Sequence, residues 1–186
     1  MRVISAFLAL ILAASSSAGD CPSPSDRSSE LDTLIAQARA AADEAAGREI
    51  AGRMWEVWLT APDQAAQEVL DRGLARRNSY DYVGAYEDFD RLAAYCPDYA
   101  EGYNQRAFIS FLREDYGAAL VDLDRTLDLS PSHVGAQSGR ALTLMHLGRI
   151  PEARAQLQAA LRNNPWLSER TLLSNGGPLA PDGKDI

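Results

Sequence analysis

The chain has 186 residues, 26 acidic against 18 basic, with a formal net charge of −8. That balance excludes a binder of nucleic acid or of an anionic membrane surface, because phosphate contacts need clustered Lys and Arg. Lys184 is the only lysine, and the arginines are dispersed along the chain.

In chain order, the first eighteen residues read as an address. Arg2 supplies positive charge, Val3 to Ala14 is apolar but for Ser5, and Ser16-Ser17-Ala18 has the small-x-small form of a cleavage site. The apolar stretch falls short of the about 20 residues a spanning helix needs. The expectation is a cleaved signal over residues 1–18, a periplasmic or secreted protein and no stable membrane insertion. A lipid anchor on Cys21 is the competing form, but Asp20 directly before it departs from the lipoprotein pattern. The remaining chain, about 168 residues, suits one domain. It is more acidic still, since the leader carries off Arg2 and no carboxylate.

Residues 19–27 form a short polar lead-in containing Pro22-Ser23-Pro24-Ser25. Leu31, Leu34, Ile35 and Ala38 then recur at helical spacing, as do Ile50, Met54, Trp55, Trp58 and Leu59, with Gly47 between the groups. Residues 28–61 are therefore expected to be a helical hairpin. It is read as a degenerate repeat capping the stack, the alternative being two helices folded across the concave side.

From residue 62 onward one period governs the chain. Ala85, Ala119 and Ala153 are 34 residues apart, as are Pro97, Pro131 and Pro165, Gly73, Ala107 and Ala141, Phe89, Leu123 and Leu157, and Tyr82, Tyr116 and Ile150. No strand-like alternation occurs, so the fold class is all-α. The columns resemble the tetratricopeptide repeat family over about Ala66–Leu167. With the leader, the resemblance is to small secreted or periplasmic bacterial members. It implies a right-handed superhelical stack of helix–turn–helix hairpins: three clear repeats at about 66–99, 100–133 and 134–167, the degenerate N-terminal hairpin, and a short C-terminal capping helix. That closing helix draws on Trp166, Leu167, Thr171, Leu172 and Leu173, and completes a repeat domain over residues 62–173. Asn175-Gly176-Gly177-Pro178 opens an expected flexible tail, 174–186. The small columns let paired helices approach, and each closing proline ends a second helix.

No enzyme, cofactor or metal site is expected. His133 and His146 lack ligand spacing to each other or to a cysteine and read as surface histidines, His133 in a turn. Glu87-Asp88 and Asp122–Asp124 read as solvated outer faces. Arg72, Arg106 and Arg140 share the period. They read as structural, with stems between helices and heads on neighbouring acids, against an anion-recognition role.

The resemblance places ligand contacts on the first helix of each repeat. The partner-binding candidates are Leu74, Asn104, Gln105, Phe108, Phe111, Leu142 and Met145. Leu70, Leu74, Gln105, Gly135 and Gly139 stand where chaperone-tail binders of the family carry basic residues or asparagine. The implied groove is apolar or mixed, unless the N-terminal helices cover it as core. Cys21 and Cys96 are the only cysteines and are expected to pair in an oxidising compartment, with free thiols or redox chemistry as alternatives. The expected function is a monomeric, non-enzymatic adaptor for a protein or peptide. A self-associating structural component of the cell envelope is the alternative.

Overall fold

The computed structural model describes residues 20–181. The leader, residues 1–18, and the end of the tail lie outside them. Eight α-helices follow in order: α1 Ser28–Ala40, α2 Glu44–Trp58, α3 Gln64–Asn78, α4 Tyr82–Tyr95, α5 Ala100–Leu112, α6 Tyr116–Leu129, α7 Val134–His146 and α8 Ile150–Asn163. A 3-10 stretch, Ser168–Leu173, closes the order. The described residues contain no strand, and the hairpins α3–α4, α5–α6 and α7–α8 stack in sequence.

The period recurs in the turns. Tyr80, Glu114 and Gly148 occupy the same repeat position and all adopt positive φ, at 63°, 62° and 74°. The next N–H of each turn reaches back to the first helix: Asp81 to the Arg76 carbonyl at 3.0 Å, Asp115 to Ser110 and Arg149 to Leu144, both at 2.9 Å. This left-handed closure satisfies carbonyls that a helix end leaves open. Asp81 and Asp115 then cap the second helices through Gly84 N–H and Ala118 N–H. The third repeat lacks that cap and has Pro151 in its first turn instead.

Inside each hairpin the small column meets the large one, and the sizes compensate. Phe89 faces Gly73, whereas the smaller Leu123 and Leu157 stand where Ala107 and Ala141 fill the small column. A Cβ on Gly73 would lie 2.5 Å from Phe89 Cε1, and Phe89 is fully buried. Gly73→Ala should therefore cost about 1–3 kcal/mol by overpacking. Adding Phe89→Leu should recover part of that loss. A double-mutant cycle read by urea unfolding checks it, and strictly additive effects would contradict this packing.

The arginine column is structural. Arg72 bonds Asp88 at 3.0 Å and Arg106 bonds Asp122 at 2.8 Å, each sixteen residues along. Asp88 and Asp122 are buried, which corrects their reading as solvated outer-face acids. The guanidinium heads reach into the seam between paired helices and neutralise them there. In the third repeat Gln156 takes the acid's place, and Arg140 bonds it together with Asp124 of α6, as Arg106 bonds Asp90 of α4.

Two ends differ from expectation. The hairpin α1–α2 forms but does not extend the stack as a fourth repeat; it lies across the concave side and reaches the far end of the chain. Arg39 donates to the Arg162 carbonyl and to Asn163, both at 2.7 Å, and Trp166 Nε1 donates to the Ala38 carbonyl at 3.0 Å. Asp63 caps α3, which fixes the corner where the chain turns back into the first repeat. The stretch 174–181 is not a free tail. Leu179 is fully buried against α7 and α8, and Arg154 donates to the carbonyls of Leu179 and Ala180. Cys21 and Cys96 are joined by a disulfide with Cα atoms 5.1 Å apart, fastening the lead-in to the first repeat.

Candidate functional site

The first helices of the repeats, α3, α5 and α7, line the concave side, and α2 stands opposite them as a wall. Between lies a cleft of about 440 Å³. Phe108, Phe111 and Leu142 supply its apolar floor, Met54, Trp55 and Trp58 its wall, and Trp166 to Glu169 one end. Phe108 is 45% exposed, so this floor is not wholly covered by the N-terminal hairpin. Phe111 is more enclosed, with its ring 5.4 Å from Tyr116 and 5.3 Å from His146.

The seven candidate residues divide on this geometry. Phe108, Phe111 and Leu142 line the cleft with part of their surface free. Asn104 and Gln105 line it too but are buried, their amides committed to a carboxylate beneath. Leu74 packs on the core of the first repeat and Met145 on that of the third, and neither borders the cleft. Both lie at the right helical spacing, but each packs against the core of its own repeat rather than into the groove.

The carboxylate beneath is Glu101, only 1% exposed. Asn104 Nδ2 donates to both of its oxygens at 3.1 Å, and Gln105 Nε2 donates to Oε1 at 2.5 Å. His133 Nε2 lies 2.7 Å from Oε2. The other ring nitrogen, Nδ1, accepts the Ala136 N–H at 3.1 Å and so caps α7. With Nδ1 an acceptor, Nε2 carries the hydrogen and donates to Glu101. His133 has no exposed surface, which corrects its reading as a surface histidine. Glu101 thus ties α5 to α7 through neutral donors.

Aromatic rings seal this cluster. Trp58 stacks on the His133 ring at 4.0 Å, and Trp55 meets the same ring edge-on at 5.8 Å. Trp55 also presses on Gly135, where a Cβ would lie 2.7 Å from its ring, so only glycine admits the indole there. Tyr99 donates to the Trp58 carbonyl at 2.6 Å, and burial pushes its phenol pKa up. Arg77 bridges from α3 by donating to Gln105 Oε1 at 2.8 Å, with its guanidinium 5.6 Å from the Phe108 ring centre. Burial lowers the Arg77 pKa, partly opposed by the Glu101 charge.

Glu101, His133, Trp55 and Trp58 were absent from the candidates named on sequence grounds. For His133 a signal existed: Tyr99, His133 and Leu167 share the 34-residue period, directly before α5, α7 and the 3-10 stretch. Tyr99 and His133 are buried there and Leu167 is partly buried. Among the described residues no group of histidines, cysteines and acids is placed to hold a metal ion.

Residues 110–165 match the family model described as tetratricopeptide repeat. The stacked hairpins have the tetratricopeptide repeat fold. The chain is 29% identical over 121 residues to a TPR repeat-containing protein of Rhizobium etli, covering 63% of this chain and 58% of that one. It is 37% identical over 76 residues, 41% of each chain, to a tetratricopeptide repeat protein 36 homolog of Nematostella vectensis. It thus spans less than two thirds of these relatives' length. Among solved structures, the second TPR domain of human RPAP3, in complex with an HSP70 peptide SGPTIEEVD, superposes with a TM-score of 0.55 at 24% identity. That match covers 57% of this chain and 88% of the RPAP3 domain. The first TPR of Spaghetti (RPAP3), bound to an HSP90 peptide SRMEEVD, gives 0.57 at 21% identity over 58% and 86%. At these identities the likeness concerns the fold.

Proposed function

We propose that this tetratricopeptide repeat protein is a non-enzymatic adaptor that holds an apolar or mixed peptide segment in the cleft between α2 and the concave face. The observation that carries the reading is the partly open aromatic floor, with Phe108 45% exposed inside a cleft of about 440 Å³. Clefts of roughly 300–1,000 Å³, apolar with a few placed polar groups, are the usual ligand sites. The repeat domains it resembles are held with peptides ending in Glu-Glu-Val-Asp. Here the floor carries a buried carboxylate, Glu101, and Arg77 is already bonded to Gln105 and Asn78. Among the described residues, the two arginines that line the cleft are thus both engaged, Arg77 as above and Arg48 with Glu44 at 2.6 Å, so an acidic tail meets committed cations and a buried carboxylate, whereas an apolar segment finds rings.

The reading extends to location. A disulfide between Cys21 and Cys96 supports action outside the cytoplasm, in the periplasm or beyond the cell, after removal of residues 1–18.

The test is binding of labelled nonapeptides selected from a random library, measured by fluorescence anisotropy. Selected peptides should be apolar or mixed, and SGPTIEEVD should bind more weakly. Phe108→Ser should weaken binding about tenfold or more, with the melting temperature unchanged because the ring is half exposed. Selection of no peptide, or equal binding by Phe108→Ser, would overturn this reading.

A further inference from the structure

We propose that the hairpin α1–α2 is a strap, fixed at both ends to the first repeat and released at its far end to open the groove. The near ends are secured by different means. The Cys21–Cys96 disulfide holds the start of the lead-in, and the Asp63 cap with the Tyr99–Trp58 hydrogen bond holds the exit of α2. The core of the hairpin, Leu31, Leu34, Ile35, Ala38, Met54, Val57 and Trp58, is separate from the cores inside the repeats, and Val134 of α7 and Leu167 close one side of it. Most of that core lies within the hairpin, so the hairpin leaves the stack with the loss of the Val134 and Leu167 contacts alone from its core.

The far end is held differently. Its clasp joins the Trp166 ring, packed on Gly47, to a set of hydrogen bonds: Arg39 to the Arg162 carbonyl and Asn163, Trp166 Nε1 to the Ala38 carbonyl, and Arg170 to Glu44 at 2.7 Å. The hydrogen bonds of Arg39 and Arg170 are exposed and exchange readily for water, so they hold weakly compared with a disulfide. Closure also leaves a hydrogen bond unmade. Trp58 Nε1 is buried with no hydrogen-bond partner among the described residues. Opening hydrates that donor and frees the remainder of the floor around Ser138 and Leu142. The closed strap is thus held by a replaceable clasp and opposed by a buried unsatisfied donor.

The gating role rests on the groove reading, but the opening itself does not depend on any partner. Native-state hydrogen exchange of the oxidised protein tests it without a ligand. Amides of α1 and α2 should exchange together, about tenfold or more faster than the buried amides of α5 and α6. Arg39→Ala and Trp166→Phe, each removing part of the clasp, should quicken α1–α2 a further several-fold while α5 and α6 keep their rates. Exchange of all eight helices at one rate, or equal quickening everywhere in the variants, would overturn the strap. Failure there leaves peptide binding standing, whereas failure to select peptides leaves the strap standing.

Discussion

Replacing Glu101 with alanine should destabilise the protein by about 3–5 kcal/mol, the range for breaking a buried charged network. The residue is the acceptor for three buried side chains, Asn104, Gln105 and His133. Removing it leaves their donors without partners in a site closed by Trp55 and Trp58, and each such orphan costs about 1–3 kcal/mol. It also frees the His133 ring, which caps α7 through Nδ1 and carries the Trp58 stack. Acrylamide quenching of tryptophan fluorescence should therefore rise in the variant, since the strap loses its seat on the repeats. Glu101→Gln should cost less, because its amide oxygen retains one acceptor. A loss below about 1 kcal/mol in urea unfolding would contradict the hub role.

The second large effect concerns the disulfide. Cys21 and Cys96 are 75 residues apart in sequence, and closing a loop of that length restricts the unfolded chain by about 4 kcal/mol in the entropy model. Cys21→Ser removes the bond while leaving the packing around the buried Cys96 nearly intact, because the lead-in is largely exposed. The variant should lose stability by about that amount, and reducing agent should lower the wild-type protein to the same level. A melting temperature unmoved by reduction would show that the bond contributes nothing.

How far the fold is legible from residues alone depends on which forces set each part. The repeats are legible because packing within a hairpin depends on neighbours at fixed offsets, so Ala85, Ala119, Ala153 and the prolines carry the same instruction three times. The arginine column belongs to the same class, since each guanidinium meets a group sixteen residues along. The placement of α1–α2 is not periodic. It depends on single long-range contacts, Trp55 on Gly135, Trp58 on His133 and Trp166 on Ala38, that no offset announces. The buried cluster was hidden for a related reason. Glu101 and His133 look like solvated residues until the fold brings them to 2.7 Å. Phe108, Phe111 and Leu142 were legible because helix spacing alone puts them on the inner face. Leu74 and Met145 share that spacing, but they pack on the cores of the first and third repeats, at the two ends of the stack, where the spacing does not tell groove from core.

The most direct measurement of the central claim is a backbone amide shift map recorded while an apolar peptide from the selected set is titrated in. Perturbations should concentrate on α2 around Trp55 and Trp58, on α5 around Phe108 and on α7 around Ser138 and Leu142. The outer helices α4, α6 and α8 should stay still. Perturbations confined to those outer helices, with the cleft residues unmoved, would contradict it.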